Sequence, residues 1–229
     1  MNVLITSGGT TERIDNVRSI SNMSTGRLGS VIANAFSADS TIEKIYYICA
    51  KNSVTPESDQ CEVIYANSVS DLENAVKDVL ARASIDIIIH SMAVSDYRVK
   101  SVTTVSALTG KSESTISKEG KISSNVDDMV LLMERTPKVI SLFKELSPGS
   151  TLVGFKLLDN VELETLIDRG FDVLTKNECS FVLANDLKEI TSENHIGYLI
   201  DKDKNITQYM SKSDIAAAIV SATISERSR

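Results

Sequence analysis

The sequence predicts an α/β protein built on a doubly wound, mostly parallel sheet with helices on both faces. Short apolar runs alternate with segments of helical periodicity along most of the chain, which is the pattern of repeated βαβ units. One run, Ile85–Met92, is almost continuously apolar, as expected of a central strand that is covered on both sides. A glycine pair, Gly8–Gly9, follows the first apolar run, as in Rossmann-like nucleotide-binding folds.

Residues 1–92 contain the predicted strands and helices of the first half of the sheet. The strands are apolar runs, and the helices place apolar residues at i, i+3 and i+4. In chain order we predict strand Val3–Thr6, helix Gly26–Ala38, strands Lys44–Ala50 and Glu62–Ala66, helix Ser70–Ala83 and strand Ile85–Met92. Asp71 in the first turn of the second helix suits the positive end of the helix dipole.

Residues 93–126 interrupt this alternation because they are rich in Ser, Thr, Lys and Glu and have weak periodicity. We predict a long flap loop at about 99–126, partly mobile and with room for a short hairpin. A helix should then start at Thr136–Lys138, with Thr136 as N-cap and Pro137 in the first helical position.

The remaining predicted elements complete one α/β domain that spans residues 1–229. They are strands Met129–Met133 and Thr151–Leu157, helix Val161–Thr175, strand Ser180–Ala184, a hairpin at about 195–210 (His195–Asp201 with Asn205–Tyr209), and helix Ser213–Glu226 capped by Ser211 or Ser213. Each follows from the same periodicity and capping rules.

Composition narrows the class of protein. The net charge of -7 gives no general attraction to nucleic acid or to an anionic membrane. No apolar run is long enough for a transmembrane helix, and the chain starts in a strand pattern rather than a signal peptide. The three cysteines have no metal-like spacing, so we expect reduced thiols and a cytoplasmic location.

The longest loop at the predicted ligand rim follows the first strand. Its glycines and the N-terminus of the next helix can cradle phosphate, and Arg13, Arg18 and Arg27 add positive charge. Asn22 offers an amide that could hold a carbonyl oxygen or stabilise an oxyanion. Alternatively, Ser24 or Thr25 only caps the helix and Asn22 only fixes the turn.

A nicotinamide-dependent oxidoreductase is an alternative that the residues fit poorly. The dinucleotide pattern needs a third glycine soon after the second, but the next glycine after Gly9 is Gly26. No acidic residue ends the second strand to bind a ribose. Tyr97 and Lys100 are one residue too close for the Tyr-x-x-x-Lys pair of short-chain reductases.

Four blocks in order resemble the phosphopantothenate–cysteine ligases (phosphopantothenoylcysteine synthetases). They are SGGTTERIDNVRSISNMSTGRLG at 7–29, MAVSDYR at 92–98, TPKVI followed by LVGFK, and LAND at 183–186. The chain begins at the synthetase signature without the flavin-dependent decarboxylase domain that is fused to many bacterial members. It therefore resembles a monofunctional bacterial member.

The resemblance implies a reaction of coenzyme A biosynthesis. Members of the family activate the carboxylate of 4'-phosphopantothenate with a nucleoside triphosphate and Mg2+, forming an acyl-nucleotidylate and releasing pyrophosphate. The amine of L-cysteine then displaces the nucleoside monophosphate. Bacterial members usually use CTP, which we favour, and eukaryotic members use ATP, which is the alternative. The family also implies a homodimer with shared active sites, with no nucleic acid and no membrane as partner.

Site residues carry over where the motifs match. The resemblance implies catalytic roles for Asn22 and Lys121. It implies contacts with phosphopantothenate for Arg18, Ser21, Ser24, Thr25, Gly26, Met92 and Ala93. It implies contacts with the nucleotide for Gly8, Gly9, Thr10, Asp96, Lys118, Pro137, Lys138, Val139, Ile140, Phe155 and Lys176.

Several of these residues also have plain structural interpretations. Asp96 could cap a turn, Phe155 could be a core aromatic, and Lys121 could be an exposed lysine without a role. Asn185 and Asp186 could cap the element after their strand or border the base pocket. The metal ligands are not indicated by any motif.

Two positions depart from the family pattern. Bacterial members usually carry Lys-x-Lys-Lys in the flap, and only Lys121 of the segment Lys121–Ser124 matches it. The family also has a basic pair near the following helix. Lys176 matches one member of this pair, and the other would fall near Asp172 and is absent. Fewer positive charges should weaken nucleotide binding. The choice between CTP and ATP therefore stays open, and a non-catalytic relative is a further alternative.

Overall fold

Strands and helices alternate along the computed structural model, which describes residues 1–110, 116–191 and 194–228. The strands are β1 (Asn2–Ser7), β2 (Thr11–Arg13), β3 (Ser19–Ser21), β4 (Lys44–Cys49), β5 (Cys61–Tyr65), β6 (Ile87–His90), β7 (Tyr97–Thr104), β8 (Met129–Arg135), β9 (Thr151–Leu158), β10 (Phe181–Asp186), β11 (Gly197–Asp201) and β12 (Ile206–Tyr209). The helices are α1 (Arg27–Ser37), α2 (Val69–Arg82), α3 (Val105–Leu108), α4 (Val139–Leu146), α5 (Leu163–Lys176) and α6 (Lys212–Arg227), with a 3-10 turn at Leu187–Glu189.

The main sheet has its topological switch point between β1 and β6. Its strand order is β12-β11-β10-β9-β6-β1-β4-β5. The strands from β10 to β5 in this order run parallel, with Val3 of β1 opposite both Ile45 and Ile87. The hairpin of β11 and β12 extends the sheet in antiparallel fashion. The doubly wound, mostly parallel sheet and the late hairpin that the sequence predicts are therefore confirmed.

Helices cover the sheet on both faces. α1 and α6 bury Ile32, Phe36, Ile215 and Ile219 against one face. α2, α4 and α5 pack on the other face and bury residues that include Leu72, Phe143 and Leu166. Each fully buried large apolar side chain contributes about 1.5–3 kcal/mol. Within the described ranges, no helix combines the length and the apolar content that crossing a membrane requires.

Helix starts agree with the sequence only in part. Ser211 caps α6 by accepting a hydrogen bond from the backbone N–H of Asp214, which confirms one of the two predicted caps. The helix predicted after the flap exists as α4, but its predicted start is wrong. α4 starts at Val139 with Lys138 as N-cap, and not at Pro137 with Thr136 as N-cap. The hydroxyl of Thr136 instead donates to the backbone oxygen of Ser95, so it is not available to cap the helix.

The flap is more ordered than an irregular loop. Strand β7 begins just before the flap and β8 follows it, and the two pair in antiparallel fashion with an irregularity between Val99 and Ser101. The described part of the flap also contains the short helix α3. A small core of Val99, Val102 and Ile122 lies beneath the pair. Residues 111–115, which belong to the predicted flap, lie outside the described residues. The strand predicted at Met129–Met133 therefore exists, but it pairs with β7 in a separate two-stranded sheet and not in the main sheet.

We expect Leu72→Ala to lower the free energy of unfolding by about 2–5 kcal/mol, because a fully buried leucine leaves a cavity. Leu146→Ala is the matched control, since that leucine is 43% exposed. It should stay within about 0.5 kcal/mol of the wild type. Urea unfolding monitored by circular dichroism measures both values. Equal losses for the two variants would contradict the assignment of α2 to the core.

Candidate active site

The chain continues to pair beyond the ends of β1 and β6. The N–H of Ala93 donates to the oxygen of Gly8 at 2.8 Å, and the N–H of Thr10 donates to the oxygen of Ala93 at 3.0 Å. The hydroxyl of Ser91 donates to the oxygen of Thr6 at 2.8 Å. In doubly wound sheets, ligands bind at the carboxyl ends of the strands beside the switch point. The two loops that flank this position are thus fixed to each other.

Two glycines allow α1 to start directly beside the end of β1. Gly8 has a φ of 85°, and a side chain there would overlap the side chain of Ser53. Gly26 has a φ of 75° and is the N-cap of α1, where a Cβ atom would lie 3.2 Å from the N of Gly8. The hydroxyl of Ser7 donates to the oxygen of Gly26 at 3.0 Å. Residues with a side chain are strained in this backbone region, so these positions favour glycine.

The N-terminus of α1 is open to an anion. No side chain caps it, and its first turn contains no acidic residue. Ser24 and Thr25 are exposed, and the N-cap residue is Gly26 and not either of them, although the Thr25 hydroxyl accepts a long hydrogen bond of 3.5 Å from the N–H of Arg27. The first backbone N–H groups of a helix have no partner inside the helix and carry the positive end of its dipole. This end of α1 therefore has the chemistry of a phosphate site.

Asn22 lies where three loops meet. Its backbone N–H donates to the oxygen of Thr10 at 3.1 Å. Its side-chain Nδ2 donates to the oxygen of Ala93 at 2.9 Å and to Oγ of Ser95 at 3.1 Å. The unpredicted hairpin of β2 and β3 holds it there, with Thr11 paired opposite Ser21. An amide fixed in this way can direct a hydrogen bond to a substrate oxygen without reorganising the backbone.

Asp15 joins this loop to the flap. Its carboxylate accepts hydrogen bonds from the backbone N–H groups of Val17, Arg18 and Ile122, at 2.8, 2.7 and 3.1 Å. It also accepts two from the Arg18 guanidinium, at 3.0 and 2.6 Å. The guanidinium beside it, together with the backbone donors, holds the pKa of Asp15 far below its ordinary value. The sequence interpretation did not single out Asp15, although its spacing from Arg18 allows this contact.

Arg18 has contacts inside the chain as well as exposed donors. Besides Asp15, its Nη2 donates to the oxygen of Ile122 at 2.9 Å. The side chain is nevertheless 39% exposed, and its Nη1 has no hydrogen-bond partner among the described residues. Because a guanidinium has five N–H donors, Arg18 can hold the flap and still offer a donor to a phosphate.

The two predicted flap lysines lie in different surroundings. Lys118 donates through Nζ to the oxygens of Val99 and Lys100, at 3.0 and 2.9 Å. Lys121 is exposed. The neighbouring Gly120 accepts a hydrogen bond from the backbone N–H of Asn16 at 3.1 Å. Lys118 therefore fastens the flap, whereas Lys121 is the one of the two with a charge accessible to a ligand.

The loop after β6 and the start of α4 form a second wall. Lys138 Nζ lies 2.5 Å from Asp96 Oδ1, and both side chains are mostly exposed. Pro137 is exposed, Val139 is buried and Ile140 is partly buried. The structure thus brings Asp96 and residues 137–140 together.

Three other predicted residues fall in different places. Met92 is buried near the start of the loop after β6, next to Ala93, which accepts the hydrogen bond from Asn22. Phe155 is partly buried on the face covered by α1 and α6. Lys176 ends α5, which runs from the rim back across the sheet for roughly 20 Å at 1.5 Å per residue. Within one chain, Lys176 therefore lies at the opposite edge and does not join the other residues.

Asn185, Asp186 and His90 make structural contacts in this state. Asp186 accepts hydrogen bonds from the backbone N–H groups of Asn160 and Val161 and also caps the 3-10 turn. Asn185 Nδ2 donates to the oxygen of Ile196 at 2.6 Å. His90 is bonded to Thr6, and burial lowers its pKa to about 4. His90 is a neutral core residue, as its apolar strand indicates.

The chain matches one protein family over almost its whole length. The family is described as the DNA/pantothenate metabolism flavoprotein C-terminal domain, and the match covers residues 1–226. The chain is also 33% identical over 202 residues to the coenzyme A biosynthesis bifunctional protein CoaBC of Thermococcus kodakarensis, covering 88% of this chain and 45% of that protein. The chain spans about half the length of the curated relatives that it matches.

Solved structures share the fold. The DNA/pantothenate metabolism flavoprotein from Streptococcus pneumoniae is 34% identical with a TM-score of 0.88, and the likeness covers 99% of each chain. A mutant of the protein Cab2 in complex with phosphopantothenate-cysteine has a TM-score of 0.75 at 16% identity, covering 99% of this chain and 86% of that chain. At that identity the likeness shows the fold alone.

We expect Asp15→Asn to loosen the attachment of residues 120–122 while the main sheet stays folded. The variant loses the charge that binds Arg18 and weakens the acceptor for the N–H of Ile122. Loss of such charge-assisted bonds should make trypsin cleave after Lys121 about tenfold faster. Limited proteolysis followed by mass spectrometry measures this rate, with Asp39→Asn in the loop after α1 as the control.

The difference in stability between the wild type and Asp15→Asn should depend on pH. A carboxyl group whose pKa is lowered by folding stabilises the protein above its ordinary pKa of about 3.9 and loses this effect as the pH falls further. The difference in melting temperature between wild type and Asp15→Asn should therefore shrink below about pH 4. A difference that does not change with pH would rule out the charged contact.

Proposed function

Because the chain belongs to the DNA/pantothenate metabolism flavoprotein C-terminal domain family, we propose that it joins 4'-phosphopantothenate to L-cysteine with a nucleoside triphosphate, in coenzyme A biosynthesis. The observation that carries this proposal is the position of Asn22. Its amide lies at the switch point of the sheet, beside the open N-terminus of α1. An acyl group held by Asn22 would thus be close to a site suited to phosphate.

The relatives support this choice of substrates. A relative at 33% identity is named for coenzyme A biosynthesis, and the fold neighbour Cab2 binds phosphopantothenate-cysteine. The order of the four sequence blocks supports the same reaction. A nicotinamide-dependent reaction gains no support from the structure, because β4 ends at Cys49 with no acidic residue following it in Ala50–Asn52.

The proposed reaction has two steps. A carboxylate oxygen of phosphopantothenate attacks the α-phosphorus of the triphosphate, the bond from that phosphorus to the bridging oxygen breaks, and pyrophosphate leaves. The amine of cysteine then attacks the acyl carbon and loses a proton, and the C–O bond to the nucleoside monophosphate breaks. Negative charge develops on the acyl oxygen in the second step, and a donor fixed beside that oxygen lowers the barrier.

Named residues take these roles in the proposal. Asn22 exchanges its contact with Ser95 for the acyl oxygen and keeps its contact with Ala93. Arg18 offers its exposed donor to the phosphate of phosphopantothenate. Lys121 on the flap contacts the triphosphate, and Asp96 accepts from the ribose hydroxyls after it leaves Lys138.

We also propose that Mg2+ enters with the triphosphate. Among the described residues, no group of three His, Cys, Asp or Glu side chains is placed to hold a metal ion. Mg2+ in nucleotide sites is usually held by phosphate oxygens, waters and one or two carboxylates, so the donor set fits an ion carried by the substrate. It would offset the charge of the triphosphate. CTP is the favoured nucleotide and ATP the alternative.

Exposed apolar side chains and free thiols support the proposed homodimer and cytoplasmic location. The β7–β8 pair exposes apolar side chains of Tyr97, Leu132 and Met133, and the loop before α1 exposes Met23. A cluster of exposed apolar residues is typical of a protein interface. All three cysteines are free thiols, as expected in a reducing compartment.

Pyrophosphate release tests the proposed reaction directly. The protein is incubated with 4'-phosphopantothenate, L-cysteine, Mg2+ and one nucleoside triphosphate at a time. We expect release with CTP that depends on phosphopantothenate. Release with ATP as well would show a relaxed base pocket. Absence of release with every nucleotide would overturn the proposal in favour of a non-catalytic relative.

We expect Asn22→Ala to lower the rate of amide formation by about 100- to 1000-fold, because one stabilising donor is lost. The acyl-nucleotidylate should accumulate, and mass spectrometry of quenched reactions detects it. Asn16→Ala is the matched control, since its exposed side chain makes no described contact and only its backbone binds Gly120. If the alanine variant unfolds, Asn22→Asp replaces it in the test, because aspartate keeps the shape of the side chain. Near wild-type turnover of a folded Asn22→Ala would exclude Asn22 from catalysis.

A further inference from the structure

Two helices on the same face of the sheet begin side by side at the rim. α1 starts after Gly26, and α6 starts after Ser211. α1 follows β1 by way of the β2–β3 hairpin, and α6 follows β12. β1 and β12 end at the same edge of the sheet, and the two helices share one apolar core. Their N-termini therefore point towards the same region. The positive ends of two helix dipoles add their potential there.

The first residues of these helices, Arg27 and Lys212, bring two positive charges together. Arg27 is exposed and Lys212 is partly buried. Burial, and then repulsion from Arg27, lowers the pKa of Lys212. Neither side chain has a hydrogen-bond or ion-pair partner among the described residues. Like charges held close together raise the energy of the folded protein, and an anion between them would relieve it.

His195 supplies an unpaired polar atom beside this pair. Its side chain is 8% exposed, and its Nδ1 atom has no hydrogen-bond partner among the described residues. Its backbone N–H donates to the oxygen of Met210, two residues before Lys212. Burial, and then the charge of Lys212, lowers the pKa of His195 to about 4. A buried polar atom without a partner is costly unless a ligand or water pairs with it.

The side chain of His195 belongs to the face of the sheet that α6 covers. A Cβ atom on Gly197 would lie 2.9 Å from Ile215 of α6 and 3.0 Å from Nδ2 of Asn185. Side chains alternate along an extended segment, so His195 shares the face of Gly197. Phe155 is on this face too. The unpaired nitrogen, the two cations and the open end of α1 thus lie at one corner of the rim.

We propose that Arg27, Lys212 and His195 form a binding subsite for the phosphate oxygens of the nucleoside triphosphate. This inference rests on the proposed function; Arg27 lies in the first matched block, and Lys212 and His195 lie outside all four blocks. The neutral imidazole donates one hydrogen bond from Nδ1, and the two cations offset the charge of the triphosphate. The subsite supplies positive charge that the flap lacks, since only Lys121 matches the lysine-rich motif.

Lys212→Met tests the subsite because it keeps the aliphatic stem and removes the charge. We expect its KM for CTP·Mg to rise about tenfold, with the KM values for phosphopantothenate and cysteine within about twofold of wild type. Lys77→Met is the matched control, because Lys77 pairs with Glu73 on α2 and lies on the other face of the sheet. It should change none of the three KM values. A nucleotide KM of Lys212→Met within twofold of wild type would overturn the inference.

His195→Asn and His195→Phe separate hydrogen bonding from packing. The amide nitrogen of asparagine occupies nearly the position of Nδ1, so Asn should retain most of the nucleotide affinity and Phe should lose it. Melting temperatures establish that both variants are folded. Equal affinity in the two variants would remove His195 from the subsite.

Binding of inorganic tripolyphosphate distinguishes failure of this inference from failure of the proposed function. Isothermal titration calorimetry with wild type and Lys212→Met needs no turnover. Weaker binding by Lys212→Met supports the subsite even if no nucleotide yields pyrophosphate. Equal binding by the two proteins, in an enzyme that releases pyrophosphate, overturns the subsite and leaves the ligase intact.

Discussion

The whole rim depends on the hydrogen bonds that continue β1 and β6 past their last residues in the sheet. In a doubly wound sheet, the strands at the switch point send their chains to opposite faces, which leaves a crevice between the two loops. Here Ala93 bridges Gly8 and Thr10 across that crevice. Asn22 binds to the same residue. The position of the Asn22 amide is therefore set by backbone hydrogen bonds at the switch point of the sheet.

One buried carboxylate is central to the attachment of the flap to this frame. Asp15 binds both Arg18 and the backbone of Ile122, so one charged group orders the loop after β2 and the flap together. The cost of burying the carboxylate is offset because every contact that it makes is to a positive or N–H donor. A hydrophobic contact at this place would hold the two segments together without fixing their register.

Periodicity was sufficient to predict the main sheet and its helices, because strands such as Ile87–His90 and helices such as α2 carry their burial pattern in their own residues. The β2–β3 hairpin was not predicted, because its three-residue strands are too short to show a period. For the flap, the sequence indicated room for a short hairpin and a strand at Met129–Met133, but not that this strand pairs with β7. The start of α4 was misplaced because Ser95 takes up the Thr136 hydroxyl. Motif matching grouped the site residues around Asn22. It could not show that Lys176, at the end of α5, lies at the edge of the sheet opposite the rim, or that Lys212, at the start of α6, lies at the rim.

The contact between α1 and α6 also bears on how the protein folds. Contacts between segments far apart in sequence hold both edges of the sheet: Thr6 binds His90 across 84 positions near the rim, and Arg227 of α6 binds Asp86 across 141 positions at the opposite edge. Closing such long loops costs entropy before any contact repays it, and chains rich in these pairings fold slowly. The local helices can form early, but the corner that joins α1, β11 and α6 needs the sheet beneath it to be complete. The corner that holds Arg27 and Lys212 is therefore expected to order last, when an anion in solution can first stabilise it.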